Sequence, residues 1–229
     1  RKRNLDDLLR KLSDVEGIEW IRLQYAYPSG FPLEILDVMR ERSNICNYLD
    51  MPLQHISDNM LKIMRRGHDK QKLTDLINTF RDRVPGIALR TTMIAGHPGE
   101  TKQDHEELVG FIEKTRFDRL GVFTYSYEEK THAGDSMKDD VPERTKKKRA
   151  EEIMAAQEKI SAELNESKVG NTYKVLFDRL EGDYYIGRTE FDSPEVDNEV
   201  LVKKSENIVR LGDFSQVKIT SAAEFDLYG

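Results

Sequence analysis

The chain has 229 residues, of which 38% are hydrophobic and 34% are charged, and its formal net charge is −6 at pH 7. This length suits one large domain or two unequal ones, and the acidic balance disfavours a general nucleic-acid binder, which is usually basic. No apolar run approaches the roughly 20 residues that a membrane helix needs, so no membrane association is expected. The single cysteine, Cys46, excludes an internal disulfide framework and is typical of a reducing cytoplasm.

Strands and helices alternate through the first half of the sequence. Bulky or apolar runs begin near residues 20, 47, 87 and 119, and stretches with apolar residues at helical spacing lie between them. Ser57 and Asp69 are placed to cap two of these helices. Strands alternating with helices predict a parallel sheet covered by helices. Four strands suit an open sheet or part of a larger barrel rather than a closed eightfold barrel.

In residues 90–101 an apolar strand breaks at Gly96, and a helix begins at Thr101. Thr101 followed by Asp104 is a variant of the capping box. A strand end beside a helix N-terminus is where α/β proteins bind polar ligands. Gly96 and Gly99 lack Cβ atoms, so a ligand could lie against bare backbone there. From spacing alone an ordinary βα turn is the commoner outcome, and both interpretations stay open.

A long helix follows the polar, turn-rich residues 126–141. It is predicted to begin at Pro142 and to run to about Ser167. Its first turns carry a basic run at residues 144–149, where the helix dipole disfavours cations. That run is either a solvated helix face or a contact for phosphate or an acidic partner.

The sequence changes character after this helix. Short alternating runs appear at residues 172–178, 184–190, 199–203 and 216–221. Strands at such even, short spacing predict a small all-β barrel. The change divides the chain into a first domain at residues 1–157 and a second at residues 158–229.

Residue spacing gives no support for a metal site or for nucleophilic catalysis. The five histidines form no HxH or HxxxH pair, and Cys46 has no second cysteine, so no metal site is expected from this chain alone. The sequence also lacks a GxSxG elbow, a Walker loop and a GxGxxG turn. By motif alone it predicts an α/β domain with an attached β-barrel and an unknown ligand.

Several segments resemble a known family. Residues 48–58 (YLDMPLQHISD) and 61–67 (LKIMRRG) are similar to a conserved segment of the methylthiotransferases, a branch of the radical S-adenosylmethionine enzymes. Residues 20–28, 90–101 and 123–126 resemble the third, fifth and sixth strands of those enzymes, in the same order. The final barrel resembles a TRAM domain, the usual carboxyl-terminal module of the family, so the resemblance covers nearly the whole chain.

The resemblance implies a fold, a reaction and its cofactors. The fold is a partial TIM-like barrel of six βα units, of which four are visible here, followed by a small OB-like TRAM barrel. The reaction uses S-adenosylmethionine to take a hydrogen from an unactivated carbon, which then receives a methylthio group. Two [4Fe–4S] clusters are held by a CxxxCxxC loop and by three cysteines of an amino-terminal domain, and this sequence contains neither set.

The chain is therefore expected to be a carboxyl-terminal part of such an enzyme. It opens on Arg-Lys-Arg rather than on methionine, which fits a fragment. We expect no catalytic residue and no metal ligand in it, with both clusters bound by residues outside this chain. Alone, it is expected to be inactive.

Two features favour one branch of the family. Residues 187–189 with 193–197, and the ending at residues 222–229, resemble the branch that modifies the β-carbon of an aspartate in the twelfth small-subunit ribosomal protein. From residue 168 onward there are eight Lys and Arg against twelve Asp and Glu. An acidic barrel suits a basic ribosomal protein better than RNA. The alternatives are the branch that modifies adenosine in tRNA and a non-catalytic, ribosome-associated adaptor.

The resemblance places S-adenosylmethionine at the carboxyl ends of the strands. The residues expected to hold it are Gln54, His55, Arg90, Thr92, Ile94, Gly96, Phe123 and Tyr125. Gln54 and His55 would bond the ribose or methionine groups, although His55 serves equally well as a cap for the next helix and Gln54 as a bridge between loops. Arg90 pairs either with the methionine carboxylate, in a fork geometry, or with a structural acid.

The remaining residues would contact the rest of the cofactor. Thr92 lies on the same side of its strand as Arg90. Residues 94–96 would lie along the adenine, with backbone groups reading its edge. Phe123 and Tyr125 also share one side of their strand, and core packing is the expected role of Phe123.

One position departs from the family. Lys130 stands where relatives usually have glycine in the sequence Glu-Glu-Gly-Thr. If this position needs a positive φ, lysine costs about 1 kcal/mol there. The departure leaves the shape of the loop open.

Overall fold

A computed structural model describes residues 4–205 and 209–229 of the chain. The helices are α1 (Leu5–Ser13), α2 (Glu34–Glu41), α3 (Asp58–Ile63), α4 (Lys70–Arg83), α5 (Lys102–Thr115), α6 (His132–Ser136) and α7 (Glu143–Glu166). The strands are β1 (Ile21–Leu23), β2 (Ile45–Asp50), β3 (Ala88–Ala95), β4 (Arg119–Thr124), β5 (Thr172–Glu181), β6 (Tyr184–Arg188), β7 (Val200–Lys203), β8 (Phe214–Lys218), β9 (Ser221–Ala222) and β10 (Leu227–Tyr228). Across these residues, no helix combines the length and the apolarity needed to cross a membrane.

The four amino-terminal strands form one parallel sheet in the order β1-β2-β3-β4, which confirms the predicted partial barrel. β1 has three residues and is shorter than the bulky run that predicted it. Tyr25 lies just beyond its end with a φ of 57°, in the left-handed region. That conformation ends the extended backbone.

Side-chain caps start three helices where the sequence predicts them. Ser57 and Asp69 accept hydrogen bonds from the first turns of α3 and α4, and Thr101 with Asp104 forms both halves of a capping box on α5. The caps bear on function because α3 and α5 begin shortly beyond the carboxyl ends of β2 and β3.

Alternation along the strands divides the sheet into two faces. One face, with Leu49, Leu89 and Met93, packs against α2, α4 and α5 in the main hydrophobic core. Burial of each such side chain contributes about 2 kcal/mol. We call the opposite face the inner face. It carries Tyr48 of β2 and Arg90, Thr92 and Ile94 of β3.

Residues 172–228, the β-domain, form a curled six-stranded sheet in the order β8-β5-β6-β7-β10-β9. Its own core includes Val175, Phe177 and Val200. The predicted all-β domain is confirmed, but β9 and β10 were not predicted. Strands of two residues are too short to show an alternation of apolar and polar residues.

α7 belongs to both parts of the chain. The helix continues unbroken past the boundary expected between residues 157 and 158. Ile153 and Ile160, on either side of this boundary, both pack into the main core. Near its end, Asn165 Nδ2 donates to the carbonyl oxygens of Ala223 (3.0 Å) and Glu224 (3.1 Å). The boundary itself stays a prediction.

The β-domain contacts the inner face through residues 189–198, which we call the docking segment. Asp192 pairs with Arg119 of β4, and Asp197 accepts a hydrogen bond from Arg90 Nε at 3.1 Å. Both carboxylate side chains are 1% exposed. The docking segment covers the amino-terminal half of the inner face and leaves the carboxyl-terminal half open.

Candidate functional site

A cavity of about 520 Å³ lies at the carboxyl ends of β2, β3 and β4. Its walls are Pro52, Gln54, Ile63, Met64, Thr92, Ile94, His97, Phe123, Thr124, Tyr125, Ser126, Glu128, Thr131, His132 and Ala133. Small-ligand sites typically have volumes of roughly 300–1,000 Å³. The structure thus brings together five of the predicted cofactor residues, Gln54, Thr92, Ile94, Phe123 and Tyr125. It places His55, Arg90 and Gly96 elsewhere.

Gln54 reaches the cavity from a strained backbone. Its N–H donates to Thr92 O at 2.9 Å and its carbonyl accepts from Ile94 N at 2.8 Å, so it extends the pairing of β2 with β3. Its φ of 68° lies in the left-handed region, which costs a residue with a Cβ about 1–2 kcal/mol. Surrounding bonds that fix such strain are typical of functional sites.

Thr92 and Ile94 form the floor of the cavity together with β4. In register they face Gly121 and Phe123, and a Cβ added to Gly121 would have no neighbour within 4 Å. Gly121 therefore adds no side chain beside Thr92 on this face. Phe123 is 66% exposed, so its expected role in core packing was wrong, and its ring is free to contact a ligand.

Tyr125 and His97 form one wall. Tyr125 N donates to Ala95 O at 2.9 Å, and the two rings meet edge to face with their centres 5.0 Å apart. Burial raises the pKa of the Tyr125 phenol, which is therefore neutral at pH 7. His97 was not predicted as a site residue, because a lone histidine in a turn carries no spacing signal.

Residues 126–133 close one side of the cavity, a role that their sequence pattern did not predict. α6 begins at His132, and Thr131 caps it by accepting a hydrogen bond from Gly134 N at 3.1 Å. A threonine at this spacing is a helix-start signal that could have revealed the short helix. Lys130 has a φ of 63°, so the position where relatives usually have glycine does need a left-handed conformation.

His55 is fully buried beside the cavity and does not line it. Its Nδ1 accepts hydrogen bonds from the backbone N–H groups of Ile56 (2.9 Å) and Ser57 (3.1 Å). Burial lowers the pKa of His55 from 6.5 to about 4, so the ring is neutral. His55 therefore holds the two residues that lead into α3, whereas the cap of that helix is Ser57.

Arg90 is committed to two carboxylates. Its Nη1 donates to Asp50 Oδ1 and its Nε to Asp197 Oδ1, both at 3.1 Å. Arg90 therefore forms the structural ion pair that was the alternative to a methionine contact. Its guanidinium joins β2 to the docking segment instead of pointing into the cavity.

Protein atoms fill the space beside Gly96. A Cβ added there would lie 2.2 Å from Lys146 Cγ, and the φ of Gly96 is 76°. Lys146 is buried, and its Nζ bonds Asp139 (2.6 Å) and Glu143 (2.9 Å). The aliphatic part of the Lys146 side chain therefore packs against the backbone of Gly96, where a ligand was predicted. Lys146 belongs to the basic run at residues 144–149, and its burial means that this run is not solvated throughout.

The cavity presents mostly uncharged groups to a ligand. Glu128 is the one carboxylate in its lining, which contains no lysine or arginine. Amide, hydroxyl, aromatic and aliphatic groups suit a nucleoside, which has a flat ring and several hydrogen-bonding edges. Among the described residues, no group of three His, Cys, Asp or Glu side chains could hold a metal ion.

Comparison with known proteins identifies both parts of the chain. A model of the radical SAM superfamily matches residues 2–112, and a model of the TRAM domain matches residues 169–229. The chain is 69% identical over 229 residues to the ribosomal protein uS12 methylthiotransferase RimO of Cytophaga hutchinsonii, of which it covers 52%. Identity to the RimO proteins of Christiangramia forsetii and Bacteroides thetaiotaomicron is 55% and 54%, with 51% and 52% of each covered. All of this chain is aligned in each case, and it spans about half the length of these relatives.

A solved structure supports the same fold. Coproporphyrinogen III oxidase (HemN) from Escherichia coli, a radical SAM enzyme, matches with a TM-score of 0.55 over 88% of this chain and 50% of that chain. Sequence identity is 19%, so this likeness concerns the fold alone. Two domain matches in the expected order and relatives aligned over the whole chain lead to one conclusion: the chain carries a radical SAM domain followed by a TRAM domain, and over its whole length it is similar to RimO methylthiotransferases.

Proposed function

We propose that this chain is the carboxyl-terminal part of an enzyme that adds a methylthio group to the β-carbon of an aspartate in ribosomal protein uS12. The observation that carries the proposal is 69% identity over the whole chain to a protein named for uS12 methylthiolation. Such an enzyme works in the cytoplasm, where its ribosomal substrate is found. This chain contributes a cofactor cavity and the β-domain.

The cavity at the strand ends is the proposed site for S-adenosylmethionine. Ile94 and Phe123 offer apolar surface to the adenine, while the Gln54 amide and the Thr92 hydroxyl bond the ribose or methionine groups. The bound cofactor supplies the hydrogen-abstraction and methyl-transfer chemistry. The side chains of this chain bind and orient it.

Both [4Fe–4S] clusters are proposed to be bound by residues outside this chain. Such clusters are held by cysteine thiolates, and Cys46 is the single cysteine here. Burial raises the pKa of the Cys46 thiol to about 11, which keeps it protonated. The chain alone is therefore inactive, and iron and sulfide analysis after anaerobic reconstitution should find no stoichiometric cluster on it.

A variant that fills the cavity tests the proposed cofactor site. In the full-length protein, Ile94→Trp places an indole where the adenosyl group would lie. We expect its affinity for S-adenosylmethionine, measured by calorimetry, to fall at least about tenfold, which corresponds to about 1.4 kcal/mol. Methylthiolation of purified uS12, followed by mass spectrometry, should fall with it.

The matched control is Leu180→Trp, which places the same indole at an exposed position of β5. It should keep wild-type affinity for S-adenosylmethionine. Wild-type affinity in a folded Ile94→Trp protein would show that the cofactor binds somewhere else.

The β-domain is the proposed contact for uS12. Two of its acidic residues, Asp192 and Asp197, form buried ion pairs with Arg119 and Arg90. Acids that remain exposed are Asp178, Glu181, Asp183, Glu195, Asp213 and Glu224. An acidic surface attracts a basic protein and repels the phosphates of RNA.

Binding to uS12 and to tRNA across a salt series tests this contact. We expect the full-length protein to prefer uS12 at every salt concentration. The variant Glu181→Lys with Asp183→Lys should weaken uS12 binding without changing the affinity for S-adenosylmethionine. Preference for tRNA with a steep salt dependence would support the tRNA branch instead.

A further inference from the structure

His97 lies in the turn after β3, and neither the resemblance nor the sequence pattern gave it a role. The residue is 6% exposed, and its ring is part of the cavity wall. The ring packs edge to face on Tyr125, which fixes its plane. A buried imidazole in a ligand cavity has two nitrogens whose hydrogen-bonding roles need to be accounted for.

One nitrogen is accounted for by the backbone. His97 Nδ1 lies 2.9 Å from the carbonyl oxygen of Pro98. A carbonyl oxygen can only accept, so Nδ1 must carry the hydrogen and donate it. In the neutral ring, Nε2 then has a free lone pair and is an acceptor.

The second nitrogen has no partner within residues 4–205 and 209–229. Burial lowers the pKa of His97, which keeps the ring neutral at pH 7. The ionisable groups that act on it are His132, in the segment that closes the cavity, and Asp139 and Asp140, which follow that segment. Nε2 is therefore a fixed, uncharged acceptor on the wall of the cavity.

An acceptor in this place selects for a ligand with a donor. Under the proposed function the adenine lies along residues 94–96, and His97 is the next residue of the same turn. The hydrogen-bonding edges of adenine carry ring-nitrogen acceptors and a single donor group, the exocyclic amine. We propose that His97 Nε2 accepts a hydrogen bond from this amine and thereby selects adenosyl over 6-oxopurine ligands, whose carbonyl oxygen would face the His97 lone pair. This inference rests on the proposed cofactor site and adds a specificity-determining residue to it.

Two ligands and two variants test the proposal in the full-length protein with its clusters reconstituted. The ligands are S-adenosylmethionine and its 6-deamino analogue, which lacks only the exocyclic amine. Wild-type protein should bind S-adenosylmethionine about fivefold more tightly, as one net hydrogen bond predicts. The variant His97→Phe should bind both ligands within about twofold of each other, while His97→Gln, which offers an amide oxygen, should keep the preference. Circular dichroism of each variant verifies folding.

The outcomes separate this inference from the proposed function. If wild-type protein binds both ligands and His97→Phe keeps the fivefold preference, His97 is not the acceptor. Equal loss of affinity for both ligands in His97→Phe would indicate a packing role and also overturn the inference. If wild-type protein binds neither ligand, the proposed cofactor site fails, and this inference fails with it.

Discussion

The inner face of the sheet has two halves that use the same strands in different ways. In the amino-terminal half, Arg90 and Arg119 meet Asp197 and Asp192 of the docking segment in buried ion pairs. In the carboxyl-terminal half, side chains such as Thr92 open into the cavity. Arg90 and Thr92 are only two residues apart on β3 and share one face. The face of a side chain therefore does not decide its role; what decides it is whether another part of the chain covers it.

Removing a buried ion pair from the covered half should have the largest effect on the stability of the chain. Asp192→Ala leaves the Arg119 guanidinium, which is 4% exposed, without its carboxylate. An unpaired buried charge typically destabilises by about 3–5 kcal/mol. We expect the free energy of unfolding to drop by about 4 kcal/mol, measured by urea denaturation of this chain.

Two further variants sharpen this result. Asp7→Ala removes an exposed carboxylate that pairs with Lys11 and should cost less than about 1 kcal/mol. Replacing both buried partners, Arg119→Met with Asp192→Leu, should recover most of the lost stability because neither charge is left alone. A loss in Asp192→Ala as small as that in Asp7→Ala would show that the docking segment is not tightly seated.

Acidification should cause the second largest loss of stability, through His55, which is buried beside the cavity. Burial lowers the pKa of His55 from 6.5 to about 4, so between these values the unfolded chain binds a proton that the folded chain does not. The contribution to stability is therefore fully present above about pH 6.5. As the pH falls to 4, about 3 kcal/mol of stability should be lost.

Urea denaturation at several pH values measures this loss. The matched variant is His55→Asn, whose side-chain oxygen can still accept from Ile56 N and Ser57 N but does not titrate. Its stability should fall less over the same window. Parallel curves for the two proteins would assign the acid sensitivity to other groups.

A glycine pair separates backbone strain from packing beside the cavity. Gly96 and Gly17 have similar φ values, 76° and 84°, but only Gly96 has Lys146 against the place where a Cβ would lie. Gly17→Ala should cost about 1 kcal/mol through its backbone alone. Gly96→Ala should cost about 3 kcal/mol, because overpacking adds to the same strain. Equal losses in urea denaturation would mean that Lys146 moves aside freely.

Much of the fold follows from local patterns in the sequence. The parallel strands come from apolar runs, and the caps at Ser57, Asp69 and Thr101 come from side chains that act within three residues. Such signals are local, so they can be read without knowledge of the tertiary structure. β9 and β10 could not be predicted because two-residue strands form only by pairing with β7 and with each other.

The candidate site was less predictable, because it depends on contacts between distant residues. Alternation correctly gave Arg90 and Thr92 a common face, but one of the two carboxylates that bind Arg90 is Asp197, 107 residues further along the chain. The side chain that fills the space beside Gly96 also belongs to a residue distant in sequence, Lys146. Family resemblance led to five residues that line the cavity, whereas Arg90 and Gly96 lie outside it because distant segments contact them.

The smallest expected effect concerns the segment that closes the open half. Lys130 adopts a φ of 63°, and its N–H donates to Asp135 Oδ1 at 3.2 Å, a bond that glycine would keep. Lys130→Gly removes about 1 kcal/mol of left-handed strain but gives the unfolded chain more freedom, which takes back about half of the gain. A net stabilisation of about 0.5 kcal/mol should appear as a higher urea midpoint in replicate titrations. The control Lys138→Gly, eight residues further along and outside the left-handed region, should instead lose about 0.5–1 kcal/mol. If both variants are destabilised alike, the conformation at Lys130 is not strained, and the lysine at this position costs no stability.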